Sequence, residues 1–251
     1  MAIPRKIHFC WFGEAPKPDL VGRCIKTWKE KLPQYELCEW NEKTFDLGSH
    51  PFATAMHKAR KWAFLSDYVR MWAVYNYGGI YLDTDCEVHV SLDPLLENSA
   101  FIGFERFFDS LQPFTACFGA EPAHPFIQKC LSYYDDPKCS DGEDVTNTLI
   151  VSAIVRENYG VKMEDTQQSL PEGLIIYPSY ILCTPNFWHN TFVTHHFDGS
   201  WTSRGKRSKP LHLRLAEKVF RWAPVCTHRL IAKAFGTARW CIGKLLGRPL
   251  S

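Results

Sequence analysis

Residues 66–85 read SDYVRMWAVYNYGGIYLDTD, and this stretch decides the fold. Trp62, Leu65, Val69, Trp72, Ala73 and Tyr75 give a helix that is apolar nearly all round, so it is expected to be buried. The helical pattern runs from about Pro51 to Tyr77, and Gly78-Gly79 stops it. The next residues, IYLDTDCEV, read as a strand. Asp67 and Arg70 stand three apart on the helix, on one face and within pairing reach. A buried acid and base must pair with each other or meet a polar ligand; a structural ion pair is the plain reading. Asp83 and Asp85 stand one residue apart where the buried strand should end. In an extended chain they point to opposite sides, but a bend would let both reach one hard cation. Oxygen ligands of this kind suit Mg²⁺ or Mn²⁺. A solvated strand end is the plain reading of a D-x-D. The tight Gly-Gly turn, Tyr81 and the Asp/Arg helix leading into it favour the metal.

Outward from this core, KIHFCWFG near the N-terminus reads as a buried first strand, followed by a Pro-rich loop. Leu20, Val21, Cys24, Ile25 and Trp28 have helical spacing, stopped by Pro33, and YELCEWN alternates as a strand. SAFIGFE and TACFGAEPAHP read as strands, PFIQKCLSYYDD and VTNTLIVSAIVRENYG as helices, and GLIIYPSYILCTP as extended chain. Alternating strands and helices predict an α/β domain with a mainly parallel sheet. Ligands then belong at the carboxyl ends of strands such as HFCWFG and IYLDTD.

The composition is that of a globular chain able to bury a full core: 251 residues, 45% hydrophobic, with nine Trp, ten Tyr and seventeen Phe. Its ten cysteines form no CxxC pair, which argues against structural zinc and for a reduced, cytoplasmic setting. MAIPRKIHFCWFGEAPKP lacks the apolar stretch of a signal peptide, and no run approaches the roughly 18 apolar residues of a membrane span. The net charge of +2 hides an asymmetry. From Thr202 to Ser251 there are twelve Lys or Arg against Glu217 alone, about +11, leaving about −9 for the rest. Two units are therefore expected, 1–201 and 202–251. In the second, Leu, Val, Phe, Trp and Ile interleave with Lys and Arg at helical spacing. Such helices lie on anionic membrane surfaces, which places the protein peripherally at the inner face of the cytoplasmic membrane. Nucleic acid fits the charge, but no nucleic-acid motif accompanies it.

IHFCWFG, the 66–85 stretch and HHFDGSW near residue 200 together resemble the DxD-motif sugar transferases, glycosyltransferase family 32. The large clostridial glucosylating toxins and the yeast initiating mannosyltransferase are more distant relatives. The resemblance covers about residues 3–201. It implies a GT-A fold, a Rossmann-like domain that binds a nucleotide-sugar with a divalent metal, Mn²⁺ or Mg²⁺. It further implies that Trp11 stacks on the nucleotide base, most often uracil, and that Asp67 and Arg70 hold hydroxyls of the donor sugar or ribose. Tyr81 and Asp83 would sit near ribose and sugar, Ser200 and Trp201 at the diphosphate. Asp85 would ligate the metal directly, with His196, in H-x-x-G, as a second ligand and preferred over its neighbour His195. Asp83 shares in holding the metal, and Asp67, Arg70 and Asp83 are the expected catalytic set. DGEDVTNTLIV departs from the Thr-Gly-Pro pattern of the family, and Asn147 is the residue there that could touch donor or acceptor.

The function expected is a metal-dependent retaining transferase, acting by front-face substitution. It would move a hexose or N-acetylhexosamine from a UDP-sugar to a glycan acceptor, polyprenyl-linked, in surface polysaccharide synthesis such as capsule or lipopolysaccharide. A dication neutralises the charge that grows on the leaving diphosphate. Two rivals stand beside it. A DxD phosphohydrolase would use Asp83 as nucleophile and Asp85 as acid/base. A non-catalytic sugar-nucleotide or glycan binding module would keep Trp11 and tolerate loss of Asp85.

Overall fold

Seven strands form one sheet in the order β2-β1-β3-β6-β5-β8-β7, and β4 pairs with β9 in a separate two-stranded ribbon. The computed structural model describes residues 2–107, 110–137, 139, 146–184 and 190–198. The strands are β1 (Lys6–Cys10), β2 (Glu36–Trp40), β3 (Gly79–Leu82), β4 (Cys86–Val88), β5 (Ala100–Phe107), β6 (Ser110–Ala120), β7 (Gln168–Ser169), β8 (Leu174–Tyr177) and β9 (Val193–His195). The helices are α1 (Asp19–Lys31), α2 (Pro51–Lys58), α3 (Trp62–Tyr77), α4 (Pro125–Ser132), α5 (Asn147–Tyr159) and the single turn α6 (Ser179–Leu182). β2, β1 and β3 run parallel, β6 is reversed, β5 and β8 return to the first direction, and β7 reverses again. Five of the seven strands thus share one direction, which is the α/β class with a mainly parallel sheet.

Two apolar layers sandwich the sheet. On one face α2 to α5 bury Phe52, Leu65, Val69, Phe126 and Val151. On the other, α1, α6 and the β4–β9 ribbon bury Cys24, Trp28, Cys86, Leu182 and Val193. Trp28 is fully buried, and its Nε1 donates to the Cys86 carbonyl at 2.7 Å, which ties α1 to the ribbon. The helix expected from Pro51 to Tyr77 is two helices. The amide of Arg60 donates to the His57 carbonyl and that of Lys61 to the Met56 carbonyl, while Arg60 has φ 55°. This is a Schellman closure with arginine at the left-handed position, where a glycine would have signalled the stop. GLIIYPSYILCTP is likewise only part extended, since α6 follows Pro178.

At the other end of α3 the glycines behave as expected. Gly78 and Gly79 have φ 60° and 109°, and a Cβ on Gly79 would stand 2.8 Å from the Lys6 carbonyl oxygen. Only glycine lets β3 start so close to β1. His8 of β1 is buried behind this turn. Trp40 Nε1 donates to its Nδ1 at 3.1 Å, so its Nε2 carries the proton and donates to the Gly78 carbonyl at 2.8 Å. Burial lowers the His8 pKa to about 4, partly offset by that carbonyl.

Candidate active site

β3 ends at Leu82, and the chain then leaves the large sheet for the ribbon through a turn at residues 83–85. The Asp83 amide donates to the Ala116 carbonyl at 2.8 Å, and the Cys86 amide returns to the Asp83 carbonyl at 2.9 Å. The bend required of the D-x-D is therefore built into the backbone, and the two carboxylates separate. Asp83 turns toward α3 and Asp85 toward the strand that ends at His195.

On the α3 side the polar groups form a closed network. Arg70 Nη2 lies 3.0 Å from Asp67 Oδ1 and 3.2 Å from Asp83 Oδ1. Its Nη1 donates to the Thr115 carbonyl at 3.0 Å, and its guanidinium lies over the Tyr81 ring, 4.6 Å from the centroid. Tyr81 OH donates to Asp83 Oδ1 at 3.0 Å and shares a 3.1 Å contact with Ser66 Oγ. Asp67 and Arg70 are only 9% and 7% exposed, so this pair must satisfy itself internally. Burial raises the Asp67 carboxyl to about 6 even though Arg70 opposes the shift. Burial would lower the Arg70 pKa, yet Asp83, Tyr81 and Asp67 together raise it well above the usual value. The Asn147 amide at the start of α5 donates to Asp67 Oδ2 at 3.1 Å, and its side-chain Nδ2 donates to the Asp67 carbonyl at 3.2 Å. Asn147 Oδ1 is buried and has no hydrogen-bond partner among the described residues.

On the ribbon side, His195 Nε2 lies 3.2 Å from Asp85 Oδ1, and the Asp198 amide donates to Asp85 Oδ2 at 2.9 Å. Burial alone would raise Asp85, but the His195 charge and these hydrogen bonds hold it down to about 2. Burial opposes the charge on His195, and Asp85 outweighs it, so the imidazole pKa rises well above 6.5. One ligand atom each from Asp83, Asp85 and His195 falls within a 4.8 Å cluster. The sequence reading preferred His196. The structure turns that ring away, to 3.0 Å from Glu87 Oε2. Successive side chains leave a strand on opposite sides, so of the two neighbours His195, opposite Cys86, faces the aspartates. Two carboxylate oxygens and one imidazole nitrogen form a donor set that fits a hard or borderline dication such as Mn²⁺.

Trp11 follows β1 and is half-buried. Its indole N–H donates to the Ala15 carbonyl at 2.7 Å, and Lys17 Nζ lies 5.9 Å from the ring centroid, so one loop holds the ring in place. Gly13 beside it has φ 93°, and a Cβ there would meet Trp62 Nε1 at 2.6 Å. Ser200, Trp201 and the basic stretch 202–251 lie outside the described residues. Sequence reasoning missed Ser66, Thr115 and Glu87. None of them carries a spacing signal, and each enters through backbone geometry.

Residues 18–102 match the family described as "Glycosyltransferase sugar-binding region containing DXD motif". The chain is similar to Inositol phosphoceramide mannosyltransferase 3 of Schizosaccharomyces pombe, 31% identical over 105 residues, covering 40% of this chain and 29% of that protein. It is also similar to the Mannosyl phosphorylinositol ceramide synthase SUR1 of Saccharomyces cerevisiae, 30% identical over 144 residues, covering 48% of this chain and 37% of that protein. The chain thus spans well under half the length of these curated relatives. Among solved structures, the PaToxG glycosyltransferase aligns with TM-score 0.49 and 17% identity, covering 62% of this chain and 70% of that one. The galactosyltransferase LgtC, solved with donor and acceptor sugar analogs, aligns with TM-score 0.45 and 12% identity, covering 83% and 99%.

Proposed function

We propose that the chain, which carries a DXD sugar-binding region at residues 18–102, is a metal-dependent retaining glycosyltransferase. It moves a hexose or N-acetylhexosamine from a nucleotide-sugar, in the first instance a UDP-sugar, to a glycan acceptor. The observation that carries this reading is the convergence of two sets of residues on one turn. Asp83, Asp85 and His195 cluster within 4.8 Å, and Asp67 and Arg70 adjoin them through the 3.2 Å contact of Arg70 with Asp83. Asp85 and His195, with Asp83, would hold the dication, which when bound supplies charge neutralisation to the departing diphosphate. Asp67 and Arg70 would orient donor hydroxyls from a buried, preorganised pair. Trp11 would offer its half-buried ring to the base, and Ser200 and Trp201 would close on the diphosphate.

The relatives' names bring mannose into the set of sugars to be tried. Residues 202–251 are read as a separate basic unit that brings the enzyme to an anionic, cytoplasmic membrane surface and to a lipid-linked acceptor. No helix among the described residues is long and apolar enough to cross a membrane.

The test is a thermal-shift screen of UDP-glucose, UDP-galactose, UDP-N-acetylglucosamine and GDP-mannose, with and without Mn²⁺, on wild type and Asp85→Asn. Stabilisation that requires both the metal and Asp85 is expected for one donor. Metal-independent stabilisation would favour the binding module, and no shift with any nucleotide-sugar would overturn the reading.

A further inference from the structure

Three of the acids gathered at this centre have a cation beside them: Asp67 and Asp83 share Arg70, and Asp85 has His195. Glu105 does not. It is half-buried on β5, its hydrogen-bond partner is the neutral Gln112 amide, and among the described residues no Lys or Arg pairs with it. Burial raises its pKa, and the Gln112 amide and the His195 charge offset only part of that. A half-buried carboxylate that feels the His195 charge but has no cation in contact keeps hydrogen-bonding capacity for a polar ligand.

The hairpin register shows where Glu105 stands. Gly103 lies opposite Phe114, Phe104 opposite Pro113 and Glu105 opposite Gln112. Side chains alternate along a strand and cross-strand partners share a face. Glu105 and Gln112 therefore project on the face of Phe114, whereas Phe104 packs into the helical layer of α2 to α5. The Phe114 ring lies 6.2 Å from the His195 ring. One residue further along β6, Thr115 gives its carbonyl and hydroxyl to Arg70 at 3.0 and 3.5 Å. β6 thus divides the site, with Asp67 and Arg70 on one side, and His195, Phe114 and the Glu105–Gln112 rung on the other. The hairpin is anchored as well: Arg106 Nε pairs with Asp165 Oδ2 at 3.1 Å, and Asp165 accepts from the Ser179 amide and hydroxyl at 2.6 and 2.7 Å.

We infer that Glu105, oriented by Gln112, is an acceptor-binding residue. Its remaining oxygen valence takes hydroxyls of the incoming glycan, on the side of the metal centre opposite the donor pair. Carboxylate-to-hydroxyl hydrogen bonds are charge-assisted and suit a polyol. The inference rests on the transferase reading above and adds the place and chemistry of the acceptor subsite.

The test uses the full chain with Mn²⁺ and whichever nucleotide-sugar of the panel stabilises it, with octyl mannoside, octyl glucoside and octyl galactoside as acceptor probes. Two quantities are read: donor affinity, from the melting shift against donor concentration, and KM for the octyl glycoside that is turned over. Glu105→Gln is expected to raise the acceptor KM at least about tenfold while donor affinity stays within about twofold. Gln112→Met retains the carboxylate without its orienting donor; it should raise the acceptor KM about threefold, and it decides the matter if Glu105→Gln fails to fold. An unchanged acceptor KM in a folded variant would overturn the inference, as would an equal loss in donor affinity. A wild type that neither binds nor turns over any nucleotide-sugar would instead remove the transferase reading, and the acceptor subsite with it.

Discussion

The two aspartates of the D-x-D lie on opposite sides of one turn, and the two sides are built differently. Asp83 belongs to the seven-stranded sheet and its helical layer, where Arg70 is locked by Asp67, Ser66, Tyr81 and Thr115. Asp85 belongs to a ribbon of two three-residue strands, held by His195 and the Asp198 amide. A two-stranded ribbon has little stability of its own. A network of buried, cross-paired charges, by contrast, fails as a unit when one member is removed. The α3 side therefore reads as scaffold, to which the proposed function adds the donor-sugar contacts, and the ribbon side as the part that can adjust around a cation.

The comparison breaks most visibly at Arg70. Arg70→Met leaves the buried Asp67 and the half-buried Asp83 without a cation and should cost about 3 to 5 kcal/mol in urea unfolding; a loss below about 1 kcal/mol would show that the network is not the scaffold. Asp85→Asn sharpens the same contrast from the other side. It leaves the buried His195 charge without its partner and should cost some stability, but less than Arg70→Met, while reducing metal-dependent turnover about a thousandfold, or about 4 kcal/mol of barrier. An equal fall in stability would erase the distinction between the two sides.

A third expectation concerns the floor of the large sheet. The folded-state pKa of His8 is lowered to about 4 from 6.5. The unfolded chain therefore takes up a proton below pH 6.5 that the folded chain refuses. Stability from this group is full above pH 6.5 and falls as the pH drops toward 4, by up to about 3 kcal/mol. Asp67, raised to about 6, works in the opposite direction over part of that range. The measurement is therefore the difference between wild type and His8→Gln, in which the Asp67 contribution cancels. The variant should show a shallower loss of stability between pH 6.5 and 4, and identical slopes would sink the assignment. The smallest effect separates the adjacent histidines. His195→Gln should weaken Mn²⁺ binding by about ten- to a hundredfold, and His196→Gln by about twofold or less, read by direct metal titration.

Much of this architecture was legible in the residues. Apolar runs with Gly stops marked β1 and β3, helical spacing gave α1, and the dense apolar surface around Asp67 and Arg70 announced a buried charged helix. The bend at the D-x-D was also foreseeable, because two carboxylates can serve one cation only if the strand ends there. What stayed hidden depended on backbone geometry that side-chain chemistry does not encode. Arg60 takes a left-handed conformation with no glycine to mark it, so the break between α2 and α3 left no trace in the composition. The choice between His195 and His196 rests on which of them faces the aspartates from β9, whose three residues are set by pairing with β4. Glu105 was invisible because its meaning comes from the register of a hairpin and from a His ring some ninety positions away in the chain.

The ribbon carries one more consequence. Asp85 is met by residues 110 and 113 positions later in the chain, and Glu87 by one 109 positions later. Loop closure over such separations comes late, after the local and near-neighbour contacts have formed. During synthesis the large sheet's first strands and α3 can dock while the last ligand is still unmade. The Asp83–Asp85–His195 cluster is thus completed only once residues 190–198 have emerged and β9 has paired, so a chain cut short before that point would keep the Asp67–Arg70–Asp83 network without His195.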